Sequence, residues 1–107
     1  SKVGYVYILS NKNWTVLYIG VTSQLENRIL QHKAGKGSRF TAKYSITDLL
    51  HFETIQGMAS AISREKQLKR WHKAWKWNLI KESNPDFVDL AAEWFSKEKI
   101  YEARCML

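Results

Sequence analysis

A chain of 107 residues, 45% hydrophobic and 25% charged, has room for one domain with a modest core, which excludes an appended recognition module and wholesale disorder. Its longest apolar runs, such as Val16-Leu17-Tyr18-Ile19, fall far short of the ~20 residues of a membrane span, so a membrane protein is excluded. The net charge of +7 is concentrated: residues 28–76 hold 11 basic and 3 acidic side chains, and the two ends together carry −1.

The N-terminal Ser1-Lys2-Val3-Gly4 runs straight into a strand pattern without an apolar signal segment, so a cytoplasmic protein is expected. Residues 3–9 and 15–21 alternate with period two around Asn11-Lys12-Asn13 and read as a β-hairpin. With the turn centred between Lys12 and Asn13, Tyr7 pairs with Tyr18. One face then carries Val3, Tyr5, Tyr7, Leu9, Val16, Tyr18 and Gly20. The other carries Val6, Ile8, Leu17, Ile19 and Val21, and as the purely aliphatic one it is expected to meet the core, leaving two tyrosines on the more open face.

Ser23-Gln24-Leu25-Glu26 has capping-box spacing and predicts a helix from Gln24 to Lys33, ended by Gly35, with Arg28 and His32 on one face. Lys36, Arg39, Phe40, Lys43 and Tyr44 follow in a Gly-punctuated loop, and residues 48–55 read as a third strand that joins the hairpin. After Gly57 comes a helix over residues 58–72. On its wheel Glu65 falls in the middle of the apolar arc formed by Leu68, Ala61 and Ile62. A carboxylate there is costly unless it is paired, metal-bound or open to a cleft. The flanking Arg64, Lys66, Lys69, Arg70 and Lys73 make a salt-bridged structural glutamate the plain alternative to a functional ligand. Trp75 and Leu79 belong to a further helix, and Asn84-Pro85 reads as the start of a last one carrying Val88, Ala91 and Phe95. Its aromatics, with Trp94, are assigned to the core, and residues 97–107 are left as a tail.

The single Cys105 and the three histidines in separate elements give no thiol-zinc cluster and no nucleophilic triad, and no phosphate-cradling glycine loop is present. A basic segment interleaved with Phe40, Tyr44, Trp71 and Trp75 suits a polyanion, because cations displace phosphate counterions and aromatic rings stack on bases. Lys33, Lys36, Arg39, Lys43, Lys66, Lys69, Arg70 and Lys73 are the expected nucleic-acid contacts. A two-metal nuclease site is under-supplied with carboxylates here. A one-metal site needs a single carboxylate, a cation and a group that takes a proton from water, and Glu65, Arg28 and the Tyr7/Tyr18 pair fill those roles.

Tyr5-Val6-Tyr7-Ile8-Leu9, then Leu17-Tyr18-Ile19-Gly20, then Arg28 ten residues after Tyr18, resemble the GIY-YIG endonuclease family. Asn84-Pro85-Asp86-Phe87-Val88-Asp89-Leu90 resembles the small stand-alone bacterial members. The likeness spans residues 4 to about 90, with Tyr5 in place of the first glycine of GIY. It implies an α+β fold with a three-stranded antiparallel sheet flanked by helices, in a nuclease domain over residues 1–96. It further implies a nuclease that hydrolyses DNA with Mg²⁺ or Mn²⁺ on Glu65, charge stabilisation by Arg28, Tyr7 and Tyr18 as the pair that orients or deprotonates water, and His32 as a further catalytic position. The late asparagine of the family corresponds to Asn78 or Asn84. DNA repair or recombination is the expected setting, with DNA the favoured substrate over RNA, and a monomer or weak homodimer the expected state. The competing reading is a nucleic-acid-binding module with a degenerate site.

Overall fold

The computed structural model describes residues 2–106; Ser1 and Leu107, which bound the expected domain and tail, lie outside the described residues. Strands β1 (Val3–Ser10) and β2 (Leu17–Thr22) pair antiparallel, and β3 (Asp48–Gln56) pairs antiparallel with the other edge of β1, giving the order β2-β1-β3. The hairpin register differs from the expected one by two residues: Tyr7 faces Gly20, and Tyr18 faces Leu9. Asn11 is the cause. Its Oδ1 accepts from the Thr15 and Val16 amides at 2.9 and 3.3 Å, its Nδ2 donates to Thr15 Oγ1 at 2.7 Å, and Trp14 turns through φ 56°. These bonds take residues 11–16 out of the ladder. A slip of two keeps every side chain on its face, so Tyr7 and Tyr18 still lie together, their ring centroids 6.4 Å apart.

Helix α1 (Leu25–Lys33) starts one residue later than expected, and the Ser23–Glu26 capping box does not form: Gln24 is the N-cap, its amide bonded to Thr22 Oγ1. The C-terminus ends as expected at Gly35, φ 79°, where the amides of Gly35 and Lys36 reach back to the His32 and Gln31 carbonyls in a Schellman motif. The segment read as a loop contains a short helix, α2 (Arg39–Lys43), whose N-cap Ser38 accepts the Thr41 amide. Helices α3 (Met58–Arg70) and α4 (Lys73–Ser83) follow β3, and α5 (Lys97–Cys105) occupies the segment left as a tail, packing on α1.

Both faces of the sheet are covered. Val6, Ile8, Ile19 and Leu50 meet Ala61 and Leu68 of α3 and Ile80 of α4. On the opposite face Tyr7, Leu9 and Leu49 meet Leu25 and Ile29 of α1, together with Ile46 and Ala91. The tyrosine face is therefore not the open one: Tyr7 is only 1% exposed. Each buried aliphatic side chain contributes roughly 1.5–3 kcal/mol of transfer free energy, so two covered faces stabilise a sheet this small far better than one.

No helix opens at Asn84-Pro85. Asn84 instead caps α4 and is buried, its Nδ2 donating to the Leu50 and Val88 carbonyls and its Oδ1 accepting the Val88 amide. Asp89 Oδ1 accepts the Leu49 and Ala91 amides, and the Leu90 amide bonds the Leu49 carbonyl. With its side chains and backbone spent on β3, the segment runs as turns over the sheet and carries Leu90, Trp94 and Phe95 into the core.

Candidate active site

The tyrosine face and α1 bring four of the five expected catalytic side chains into contact. Arg28 Nε donates to Tyr7 Oη at 3.4 Å, and Tyr7 Oη lies 3.1 Å from His32 Nε2. His32 Nδ1 lies 3.0 Å from Thr41 Oγ1, which in turn meets Ser38 Oγ at 2.9 Å. Tyr18 rests against the same histidine, ring centroids 5.5 Å apart, and its hydroxyl makes no hydrogen bond among the described residues.

The direction of the chain follows from its chemistry. A guanidinium only donates, so Tyr7 Oη accepts from Arg28, and the one phenol proton, enclosed with the ring, goes to His32 Nε2. Nδ1 then carries the imidazole proton and donates to Thr41. That requires a neutral His32. Burial, and secondarily the Arg28 charge, lower its pKa to about 4. Burial also raises the Tyr7 pKa, against the Arg28 hydrogen bond and charge; the fields of Tyr18 and Glu65 add to the rise.

Two glycines make room for this packing. A Cβ at Gly20 would run into Cζ and Oη of Tyr7, and a Cβ at Gly37 would run into the His32 ring. The glycine of the YIG triplet is thus set by the phenol that lies over it. Arg28 is fixed at its other end as well, through the Gly37 carbonyl and Gln31 Oε1, both at 2.8 Å. Three of its five N–H groups are so engaged, and the guanidinium has no carboxylate partner among the described residues.

Glu65 stands apart from this hydrogen-bonded set. It lies between Ala61 and Leu68 along the sheet-facing side of α3, 13% exposed, and pairs with the exposed Lys69 at 2.9 Å. Its field reaches Tyr7. The neighbouring Arg64 pairs with Glu53 of β3 instead, and Ile62, placed in the apolar arc by the wheel, is exposed. No cluster of three or more His, Cys, Asp or Glu side chains suited to a metal is present among the described residues. The donor set on offer is one hard carboxylate, which matches an ion that keeps most of its waters.

The basic residues divide. Lys33 is 11% exposed and its ammonium is taken by Asp89 at 2.5 Å and the Thr47 carbonyl, so it braces the fold rather than facing a phosphate. Lys36, Arg39, Lys43, Lys66, Lys69, Arg70 and Lys73 are exposed, with Lys36 and Lys73 also touching the Met106 and Thr15 carbonyls. Of the two asparagines, Asn84 is consumed by its structural bonds, whereas Asn78 is exposed on α4. Sequence reasoning missed Thr41, Ser38 and Gly37. The Ser38-x-x-Thr41 pattern of an N-cap was the available signal for the short helix that presents Thr41.

The family model for the GIY-YIG catalytic domain matches residues 3–78. The chain is 36% identical over 76 residues to a UPF0213 protein of Natronomonas pharaonis, covering 71% of this chain and 88% of the relative. A UPF0213 protein of Syntrophus aciditrophicus is 37% identical over 83 residues, 77% of this chain and 93% of the relative. One of Haloquadratum walsbyi is 35% identical over 78 residues, 73% and 86% of the two chains. No solved structure matches the chain. With Tyr7, Tyr18, Gly20, Arg28 and His32 packed as one unit inside the matched span, the chain belongs to the GIY-YIG family and its UPF0213 relatives.

Proposed function

We propose that the protein is a divalent-metal-dependent endonuclease that hydrolyses phosphodiester bonds of DNA, with water as nucleophile. The observation that carries the reading is the half-buried Arg28, bonded to a buried phenol, itself bonded to a neutral histidine, with no carboxylate among the described residues to balance the cation. A cation left without a counter-anion beside a proton-transfer chain is arranged for an incoming anion.

Within this reading Glu65 would hold a hydrated Mg²⁺ or Mn²⁺, displacing the exposed Lys69, and the ion when bound supplies charge neutralisation at the phosphate. Arg28 directs its remaining N–H groups at the attacked phosphate and stabilises the charge that builds on its oxygens. Tyr7 is the base: as water attacks phosphorus and the opposite ester bond breaks, the water proton passes to Tyr7 Oη and the phenol proton to His32 Nε2, while the leaving alkoxide takes a proton from solvent and the imidazolium afterwards returns its own along the same path. The buried phenol, reluctant to ionise, never carries a full negative charge, because His32 accepts as Tyr7 gives. Thr41 holds the imidazole, accepting its Nδ1 proton. The Tyr18 hydroxyl, unpaired and half-buried, orients the water.

The test is cleavage of end-labelled single-stranded, duplex, flap and four-way DNAs with Mg²⁺, Mn²⁺ or EDTA, with Glu65→Gln in parallel. Metal-dependent cuts that vanish in the variant support the reading. Salt-sensitive binding without cuts would overturn it in favour of a binding module whose Glu65 is kept for its bridge to Lys69.

A further inference from the structure

Tyr18 is not the last ring on its side of the site. Phe40 lies nearly parallel to it, centroids 6.2 Å apart and planes inclined by 27°, and Tyr44 follows at 4.9 Å from Phe40. The aromatic row thus runs from the catalytic cluster out to solvent along α2. Phe40 is 45% exposed and Tyr44 43% exposed, an unusual cost for two large rings one helical turn apart. The support beneath them is rigid. Ser38 caps α2, and Thr41, buried between the two rings in sequence, is tied to His32.

The surroundings say what the rings face. From residue 27 to residue 47 the chain has no acidic side chain and carries Arg28, Lys33, Lys36, Arg39 and Lys43. Lys43 sits 5.3 Å over the Tyr44 ring, so that ring already carries a cation, whereas Phe40 carries none among the described residues and keeps 45% of its surface in solvent. An apolar ring on a segment whose charged side chains are all cations is complementary to a nucleobase with its phosphates, and not to an apolar helix or an acidic peptide, which would leave either the charges or the rings unmatched.

We propose that Phe40, backed by Tyr18 and Tyr44, is a stacking platform for an unpaired base next to the attacked phosphate, with Arg39 and Lys43 on the neighbouring phosphates. The proposal rests on the nuclease reading and adds the substrate form: a strand with at least one base out of a duplex at the cut. In a duplex each base face is covered by its neighbours, so the platform is filled only by a single strand, a junction or flap, or a base extruded at a cost of a few kcal/mol.

The test measures binding, by fluorescence anisotropy in the Glu65→Gln background, to a labelled single strand and to the same strand in a duplex. Phe40→Ala is expected to weaken single-strand binding about tenfold, the scale of one lost base–aromatic stack. Its duplex affinity stays unchanged, Phe40→Trp restores the loss, and Phe40→Leu, which keeps bulk without a π face, does not. Tyr101→Ala, exposed on α5, is the control and alters neither. Equal loss on both DNAs, full rescue by leucine, or no loss at all overturns the platform while leaving the nuclease reading in place. A parent protein that binds neither form overturns both.

Discussion

Two buried histidines, His51 on β3 and His32 on α1, sit in opposite electrostatic circumstances. His51 of β3 is bonded to Glu53 at 2.9 Å, and Arg64 closes the ion pair onto the same carboxylate at 2.8 Å; the arrangement holds the Glu53 carboxyl down at about 2, with the His51 hydrogen bond as its first cause and Arg64 adding to it. His32 faces a phenol, a guanidinium and a threonine, with no carboxylate in contact among the described residues, and burial drives its pKa down to about 4. The first network is charge-balanced and complete, tying α3 to β3. The second is polar, satisfied in its hydrogen bonds, and still one anion short. A complete network is what a fold needs; an incomplete one with a directed proton path is what a reaction at phosphate needs. The contrast is open to direct attack by mutation.

The largest expected effect is at the unbalanced cation. On the proposed function, Arg28→Ala removes the charge proposed to meet the phosphate together with the donor to Tyr7 Oη, and is expected to lower kcat by about 10²–10³-fold, the scale of losing a preorganised donor to the transition state. Arg64→Ala, at the balanced site, is expected to lower the melting temperature while leaving cleavage per folded molecule unchanged. Equal loss of turnover in both would erase the distinction between the two networks.

The histidines also separate by pH. His32 is buried neutral, with its folded pKa of about 4 below the unfolded value of 6.5. Between those values the unfolded chain binds a proton that the folded chain refuses, so stability is full above pH 6.5 and declines as pH falls towards 4, by on the order of 3 kcal/mol in all. Glu53 acts in a lower window: its folded carboxyl at about 2 lies below the usual 4.5, so its contribution is intact above 4.5 and is lost only as pH falls towards 2. Urea titrations at pH 7, 5 and 3.5 should show a first decline that His32→Gln flattens and Glu53→Gln does not. A first decline unaffected by His32→Gln would mean that the imidazole is not the group being kept neutral.

Gly20→Ala probes the same cluster by steric means. Its Cβ would collide with the Tyr7 phenol, and because Tyr7 is enclosed on the other side by α1, the ring has nowhere to retreat. A cost of about 1–3 kcal/mol is expected, as for other overpacked cores, together with loss of cleavage beyond what the stability change explains. Gly35→Ala gives the contrast: nothing crowds its Cβ, and only its φ of 79° is strained, so stability should fall and activity should follow the folded fraction.

How much of this was legible in the sequence follows the same division. The strands, the two tyrosines on one face, the Schellman end of α1 and the place of Glu65 on its helix are consequences of local periodicity and turn chemistry, and Val, Tyr, Gly and Leu spell them out residue by residue. The register was not legible because it depends on the side chain of Asn11, which bonds the loop backbone instead of letting it form a tight turn. Asn84-Pro85 read as a helix start for a sound local reason, but the amides a helix would use are taken by the Asn84 and Asp89 side chains and by the Leu49 carbonyl of β3, and the same two side chains bond the β3 backbone. The burial of Tyr7 was equally hidden, since what covers it comes from α1, more than 15 residues along the chain. The register thus turned on a local side-chain bond, whereas at Asn84-Pro85 and at Tyr7 a long-range contact overrode a correct short-range preference.

Thr41 is the smallest and most specific test of the comparison. It touches neither phenol nor guanidinium, and acts only through His32, so it is a positioning residue. Thr41→Val keeps the β-branched shape and removes the hydroxyl, leaving the imidazole Nδ1–H without its acceptor at a cost of about 1–3 kcal/mol. The other tautomer relieves that cost by moving the proton to Nε2, where it points at Tyr7 Oη and stops accepting the phenol proton. The expected result is a drop in kcat with KM unchanged. Thr41→Ser, which restores an acceptor at the same place, should recover kcat. The ring nitrogens can be followed directly by ¹⁵N chemical shifts: a protonated Nδ1 in the parent that moves to Nε2 in the valine variant supports the directed path from Tyr7 through His32. Nε2 protonated in the parent would reverse the path and leave Tyr7 without its proton acceptor.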